Sequence, residues 1–444
     1  MIENADFVVE KIKLRGGEYA VVKNPSYVFP SEEYYPLAPA LKKVSEIKAV
    51  LMDMDGTTTT TEVLCIHALE QMVRRMSGKF SREQWAGLDH DADFPHIIGN
   101  STTRHVEYLL HKYESLLSNS HIAQAFLEAA WWTLKFGMDP NRKAEVLQNL
   151  KKAGLHESLE TILKADSPVE IVSSLSEMID VYGFGTRVNL GIDIYYEVYH
   201  HILARLKMGE GALIKKEFFG DVDEHTHVIA PMPGIPFVIP LLKGWLGEEA
   251  GLFAATLASE YELKIGRKIP GEELPVIEKQ LIELGEKFEK QPVKLGLVTS
   301  SIRYEADIVI HEVLSVISEH IRKSSLPEHR KELILKNLED PSMVYDAFVT
   351  ATDSSEIRLK PHRDLYSIAL HQVGLLPADF GKVIGFEDSQ SGTVAIRAAG
   401  IGCCIAVPFA QTVAHNLEAA AHVLPGGVPQ AVLEFGLFLD AGKR

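Results

Sequence analysis

The sequence predicts an α/β fold: a Rossmann-like, doubly wound parallel sheet with a helical domain inserted after the first core strand. Apolar runs at 47–53, 294–299 and 383–387 each end in carboxylates or hydroxyls, the pattern of strands buried on both faces of a parallel sheet. Segments between them carry apolar residues at helical spacing. The longest such stretch, 58–230, falls between the first and second runs, where an insertion leaves the sheet order undisturbed.

Residues 1–46 precede the first core strand. Phe7–Leu14, Gly16-Gly17 and Glu18–Val22 read as a β-hairpin on a tight turn, followed by a linker punctuated by Pro25, Pro30, Pro36 and Pro39. The first core strand then runs through Ile-Lys-Ala-Val-Leu-Met-Asp-Met-Asp-Gly-Thr, 47–57. Residues alternate faces along a strand, so Asp53 and Asp55 point the same way. Gly56 permits a sharp turn and a close backbone approach to a ligand. Carboxylates at the C-terminal tip of a parallel strand lie where open α/β sheets place their sites. One can attack and the other can move protons.

The insertion, 58–230, contains apolar faces at 106–113, 123–132 and 144–150, separated by Gly137, Pro140, Gly154 and Pro168. Trp131 and Trp132 read as core of this domain, and Asp221–His227 as a polar loop, because its spacing matches no metal-ligand pattern. Residues 47–57 and 231–444 are expected to form the core that carries the sheet and the strand-end residues. Within it, 247–291 is a further helical insertion, with patterns near 250–264 and 273–289. The remaining strand ends are Thr299-Ser300-Ser301 and Glu387-Asp388, with Lys360-Pro361 between them.

At 444 residues the chain can bury a large core in two domains. A formal charge of −16 argues against nucleic acid or an anionic membrane surface as partner. The N-terminus lacks the basic and apolar regions of a secretory signal, and no apolar run reaches transmembrane length. Cys65, Cys403 and Cys404 read as free thiols, the last two buried in an apolar strand. A cytoplasmic location is expected. Oligomeric state is not legible.

The four motifs, at Asp53-Met-Asp-Gly-Thr57, Thr299-Ser-Ser301, Lys360-Pro361 and Gly385-Phe-Glu-Asp-Ser-Gln-Ser-Gly392, resemble those of the haloacid dehalogenase (HAD) superfamily. Phe386–Gly392, Ala398-Ala-Gly400 and Ala406-Val-Pro408 are similar to the β-phosphoglucomutase-like phosphatases, whose helical C1-type cap corresponds to 58–230. The resemblance covers about half the chain. It implies Asp53 as nucleophile, Asp55 as general acid and base, and Thr299 and Lys360 as groups holding the phosphoryl oxygens. It also implies Mg²⁺ bound by Asp53, the Asp55 carbonyl and Asp388, with Glu387 as a direct or water-mediated ligand. Ser300 is a further phosphate-binding candidate. Thr57 either binds phosphate or caps its turn. In the cap, Asn100 and Arg104 are candidates to contact the leaving group, against a plain helix start at Ser101 or Thr102. Cap closure would exclude bulk water.

The implied activity is Mg-dependent hydrolysis of a small phosphate monoester, with a sugar phosphate as one candidate. A phosphomutase of the β-phosphoglucomutase type is the first alternative. It is disfavoured by Cys65 at the position where the resemblance places a His, by Ile302 where it places a Lys, and by Thr102 where it places an Arg. A binding protein on an inactive core is the second alternative; the complete set of motif residues argues against it.

Overall fold

A computed structural model describes residues 4–15, 17–24, 28–98, 102–220, 227–409, 412 and 415–439. The chain divides into two compact units: Met1–Thr59, Pro231–Arg303 and Ile310–Arg444 form one, and Thr60–Ala230 with Tyr304–Val309 form the other. The strands are β1 (Tyr19–Lys23), β2 (Glu32–Pro36), β3 (Ala49–Asp53), β4 (Lys294–Val298), β5 (Ala347–Val349), β6 (Val383–Glu387), β7 (Cys403–Ala406) and β8 (His422–Val423).

Strands β3 to β8 make a six-stranded sheet in the order β5-β4-β3-β6-β7-β8, and every pairing in it is parallel. The chain builds outward from β3 to β5, then returns to place β6 on the other side of β3. The order therefore reverses at β3, and the strand ends there splay into a crevice. Register fixes what meets in it: Asp53 lies opposite Val298, and Met52 opposite Phe386. Every residue of β3 and β6 is buried, as the continuous apolar runs require. Helices Asp364–Gln372 and Gln390–Ala398 supply Leu365, Tyr366, Ala369 and Ile396 to a core shared with Leu51, Val298, Val349 and Cys404.

The 247–291 segment contains a 3-10 helix, Gly247–Phe253, and the helices Ala254–Ile265 and Leu274–Lys290. Leu274–Lys290 packs on Gly247–Phe253 and on helix Ile235–Leu242, while Ala254–Ile265 packs on Gly427–Leu433.

Among the described residues of the inserted unit, every regular element is a helix. Its longest helix, Phe184–Lys207, is packed by Glu62–Ser77, Thr102–Lys112 and Asn119–Phe136. Asp139 caps the helix Pro140–Lys152 by accepting from the Asn141 and Arg142 amides. Among the inward-facing groups is Asp193, bound by Arg142 and by Asn149 Nδ2 at 2.7 Å. The two ends of this insertion are hydrogen-bonded together. Thr60 N donates to Ala230 O at 2.9 Å, and Ala230 N donates to Thr60 Oγ1 at 3.0 Å. One step inward, Met232 N donates to Thr58 O at 2.9 Å.

The N-terminus departs from the expected hairpin. Ala5–Arg15 is an α-helix, not the first strand of a hairpin. The β-branched residues Val8, Val9 and Ile12 suggested a strand, but they also sit at helical spacing. The Asn4 side chain settles the matter locally: its Oδ1 accepts from Phe7 N at 2.8 Å, an N-cap bond. The hairpin forms one element later, with β1 and β2 antiparallel and Tyr19 opposite Pro36. It packs on the core through Val22, Tyr35 and Ala398.

Candidate active site

Asp53 ends β3 and is buried. The chain must then turn at once, and it does so through Gly56 at φ +81°. A Cβ at that position would stand 2.8 Å from Asp388 Oδ2 and 2.6 Å from Phe409 Cε1, so only glycine lets the turn lie against Asp388. The threonine run closes the turn. Thr58 Oγ1 donates to Asp53 O at 2.6 Å and Thr59 Oγ1 to Met54 O at 3.2 Å. Thr57 Oγ1 donates to Asp388 Oδ1 at 3.4 Å.

The end of β4 governs Asp55. Thr299 Oγ1 donates to Asp55 Oδ2 at 2.9 Å, and Ser301 Oγ donates to the same oxygen at 3.1 Å. Thr299 Oγ1 in turn accepts from Ser301 N at 2.9 Å. The single hydroxyl proton of Thr299 is thus given to Asp55. Ser300 is exposed. Ser301 was not singled out from sequence. It has the same chemistry as Ser300 and lies two residues from Thr299, so strand alternation carried past the end of β4 would have marked it.

Lys360 reaches the centre of the crevice, and its side chain is only 6% exposed. Its ammonium binds Asp53 Oδ1, Glu387 Oε1 at 2.7 Å and Val298 O at 3.2 Å. Each of the ammonium's three protons has a partner. The Tyr366 ring lies beneath it, with the centroid at 5.3 Å.

Glu387 is saturated. Oε1 accepts from Lys360 and from Tyr366 Oη at 3.3 Å. Oε2 accepts from Asp388 N and Ser389 N, both at 3.0 Å, and from Ser389 Oγ at 2.9 Å. A Cβ on Gly392 would fall 1.6 Å from Glu387 Oε1, so the glycine makes room for this carboxylate. Ser389 caps the following helix, accepting from Gly392 N at 3.2 Å.

Asp53, Glu387 and Asp388 each present a carboxylate oxygen within 4.8 Å of the others, and all three are buried. Burial, then the Glu387 charge, push the Asp53 pKa well above the usual carboxylate range, against the pull of Lys360. For Lys360, burial favours the neutral amine, but Asp53 and Glu387 outweigh it and hold the pKa above a lysine's usual value. One ammonium thus stands among several buried carboxylates. A hard divalent cation fits between Asp53 and Asp388, because oxygen ligands and excess negative charge are what it needs, and the Glu387 charge adds to the field while its oxygens are held by donors.

Of the cap candidates, Arg104 lies exposed on helix Thr102–Lys112. Asn100 and Ser101 lie outside the described residues, as do 221–226 of the polar loop. His67 rests edge-on against Phe218 at 4.1 Å between centroids. Burial pushes its pKa down to about 4. No described helix is long and apolar enough to cross a membrane.

The crevice at the reversal point of this strand order thus gathers strand-end carboxylates, hydroxyls and a buried lysine. Among proteins of known sequence, the chain is 29% identical over 204 residues to "Putative phosphatase YhcW" of Bacillus subtilis (strain 168), spanning 46% of this chain and 82% of that one. No family model matches the chain. Among solved structures, it is similar to CbbY from Rhodobacter sphaeroides in complex with phosphate, at 14% identity and TM-score 0.40, covering 87% of this chain and 99% of that one. A HAD family hydrolase from Deinococcus radiodurans R1, with bound phosphate and sodium, aligns at 13% identity and TM-score 0.38, covering 90% of this chain and 100% of that one.

Proposed function

We propose that the chain is a Mg²⁺-dependent phosphatase of small phosphate monoesters, working through an aspartyl-phosphate. The observation that carries this reading is the position of Lys360, whose ammonium joins Asp53 to Glu387 at the reversal point of the sheet. A phosphate ester repels a carboxylate nucleophile, so the attacking oxygen must sit beside fixed positive charge. Asp53 attacks phosphorus, and the bond from phosphorus to the leaving oxygen breaks. Asp55, held by Thr299 and Ser301, gives that oxygen its proton. It then takes a proton from the water that cleaves the aspartyl-phosphate and releases inorganic phosphate.

Asp53, the Asp55 carbonyl and Asp388 would hold the Mg²⁺, which supplies positive charge to the phosphoryl oxygens. Glu387 is assigned to orienting Lys360, since its oxygens are already occupied by donors. Thr57 is assigned to Asp388 and Thr299 to Asp55. The similarity to a protein named as a phosphatase supports the hydrolytic reading. His67, with its pKa pushed down to about 4, is neutral at pH 7 and does not offer a cationic replacement for the missing mutase groups.

The test is one preparation assayed twice: for free phosphate from an aryl phosphate and a panel of sugar phosphates, and for glucose 6-phosphate from β-glucose 1-phosphate with a bisphosphate activator. Phosphate release that needs Mg²⁺ is expected. Rapid formation of glucose 6-phosphate with negligible free phosphate would replace the phosphatase by a mutase. No turnover in either assay would leave a binding protein.

A further inference from the structure

The hairpin β1–β2 lies outside the motifs, yet its side chains reach the loop that carries Lys360. Arg358 stands two residues before the lysine. Its Nη1 binds both oxygens of Glu33 at 2.9 Å. The same guanidinium grips Asp364 through Nε at 2.8 Å and Nη2 at 3.0 Å, a planar fork that fixes its orientation. His362 stands two residues after the lysine and is buried. Its Nδ1 lies 2.9 Å from Tyr35 Oη, which lies 2.6 Å from Glu33 Oε2. The Tyr35 hydroxyl has one proton. It donates that proton to Glu33, so it accepts from an Nδ1–H on His362.

We propose that the N-terminal hairpin is a clamp that positions Lys360, with Glu33 and Tyr35 as positioning residues acting through Arg358 and His362. A lysine on a loop has a long flexible stem, and its placement is only as exact as the loop's. Here the loop is gripped on both sides of the lysine by one strand, and that strand is itself anchored. Ala38 N donates to Arg397 O at 3.0 Å, and Val22 and Tyr35 pack on Ala398. Arg397 and Ala398 close the helix that begins just after Asp388-Ser389. The hairpin thereby ties the lysine loop to the helix leading from the other half of the crevice. The charge states suit a permanent clamp. The Tyr35 hydroxyl, followed by burial working the other way and then by Arg358, leaves Glu33 with a pKa of about 2, and burial with the Glu33 bond raises Tyr35 to about 12.

This inference rests on the phosphatase reading for its kinetic consequence, but not for its structural one, and the experiment separates them. Full-length wild type, Tyr35→Phe and Glu33→Gln are each subjected to limited acetylation, with Lys360 modification read by peptide mass. Aryl-phosphate kinetics are measured on the same preparations. Lys360 is expected to be shielded in wild type and to label faster in both variants at unchanged far-UV circular dichroism. In both, kcat is expected to fall about tenfold or more, on the scale that small misplacements of a catalytic group cost, with KM changed less. In a Lys360→Ala background, Tyr35→Phe should have no further effect on kcat, because it acts through the lysine. Unchanged labelling in both variants overturns the clamp whatever the activity. So does an undiminished effect of Tyr35→Phe on the residual kcat of Lys360→Ala. An inactive wild type with the expected labelling overturns the phosphatase reading and leaves the clamp standing.

Discussion

Replacing Glu387 by Gln tests whether this side chain is scaffold or metal ligand. The substitution keeps the shape, so no cavity opens. What changes is the hydrogen-bond inventory: a carboxylate accepts at both oxygens, whereas an amide has one acceptor and one donor group. If the Gln oxygen faces Lys360 and Tyr366, the NH₂ group meets Asp388 N, Ser389 N and Ser389 Oγ, donors that Glu387 now accepts at 2.9 to 3.0 Å. If the amide flips, the NH₂ group meets the Lys360 ammonium, now 2.7 Å from Oε1. Either orientation strands buried donors, at about 1–3 kcal/mol each, and removing one partner of a buried pair costs about 3–5 kcal/mol. Relief of the repulsion that Glu387 exerts on Asp53 recovers part of this. The net expectation is a loss of about 3 kcal/mol. Urea unfolding in EDTA reads it without any contribution from metal. A variant as stable as wild type in EDTA, whose only defect is weaker Mg²⁺ activation, would refute the scaffold argument and return Glu387 to the metal.

Further outcomes follow from the same geometry. Asp53→Asn should abolish turnover and phosphoenzyme formation, because an amide cannot attack phosphorus; measurable turnover by the purified variant would exclude Asp53 as nucleophile. Asp388→Ala should raise the Mg²⁺ concentration needed for half-maximal activity by about tenfold or more, the scale on which disturbing the groups around a metal weakens its binding, and Ca²⁺ should substitute poorly; a titration matching wild type would remove Asp388 from the metal. Glu33→Gln should also change stability with pH. The folded pKa is lowered from 4.5 to about 2, so the wild-type carboxylate's contribution is present above pH 4.5 and is lost as pH falls through about 2. With the side chain 27% exposed, solvent screening reduces the gap between wild type and variant to about 1 kcal/mol at pH 7. Unfolding curves at pH 7 and pH 2.5 should show that gap narrowing; a constant gap would mean the charge is not what stabilises.

The core sheet was legible because buried parallel strands write themselves as apolar runs. Asp53, Thr299 and Glu387 end three of them, on or next to β3, β4 and β6. Lys360 was legible from its Pro and its order in the chain. The partner assignments were not. The sequence marks Thr299 as a phosphate-binding group, and Thr57 as either that or a turn cap; it does not show that their hydroxyls donate to Asp55 and Asp388, pairings that depend on three-dimensional register rather than on local spacing. The N-terminal helix was missed because Phe7–Leu14 satisfies two periodicities, and the deciding signal was a single capping residue, Asn4. The clamp was invisible for a different reason. Glu33 and Arg358 lie 325 positions apart, and no pattern in one sequence connects charges at that distance.

The closed mouth of the large insertion has a consequence for how such a chain can change. Thr58 and Met232 are joined by a main-chain bond, and the next pair outward, Thr60 and Ala230, by one main-chain bond and one to the Thr60 hydroxyl. To the sheet, everything between is a loop whose ends are already together. The entropy of closing a loop grows only with the logarithm of its length, roughly 0.6 kcal/mol for each doubling. Lengthening the inserted unit therefore costs the sheet almost nothing, provided the added residues fold on their own. Growth at this point is nearly neutral for the strands of the sheet, whereas one extra residue between Asp53 and Gly56 would throw the turn out of register with Asp388. The same chain thus joins a segment free to drift in size to one that tolerates no change in length.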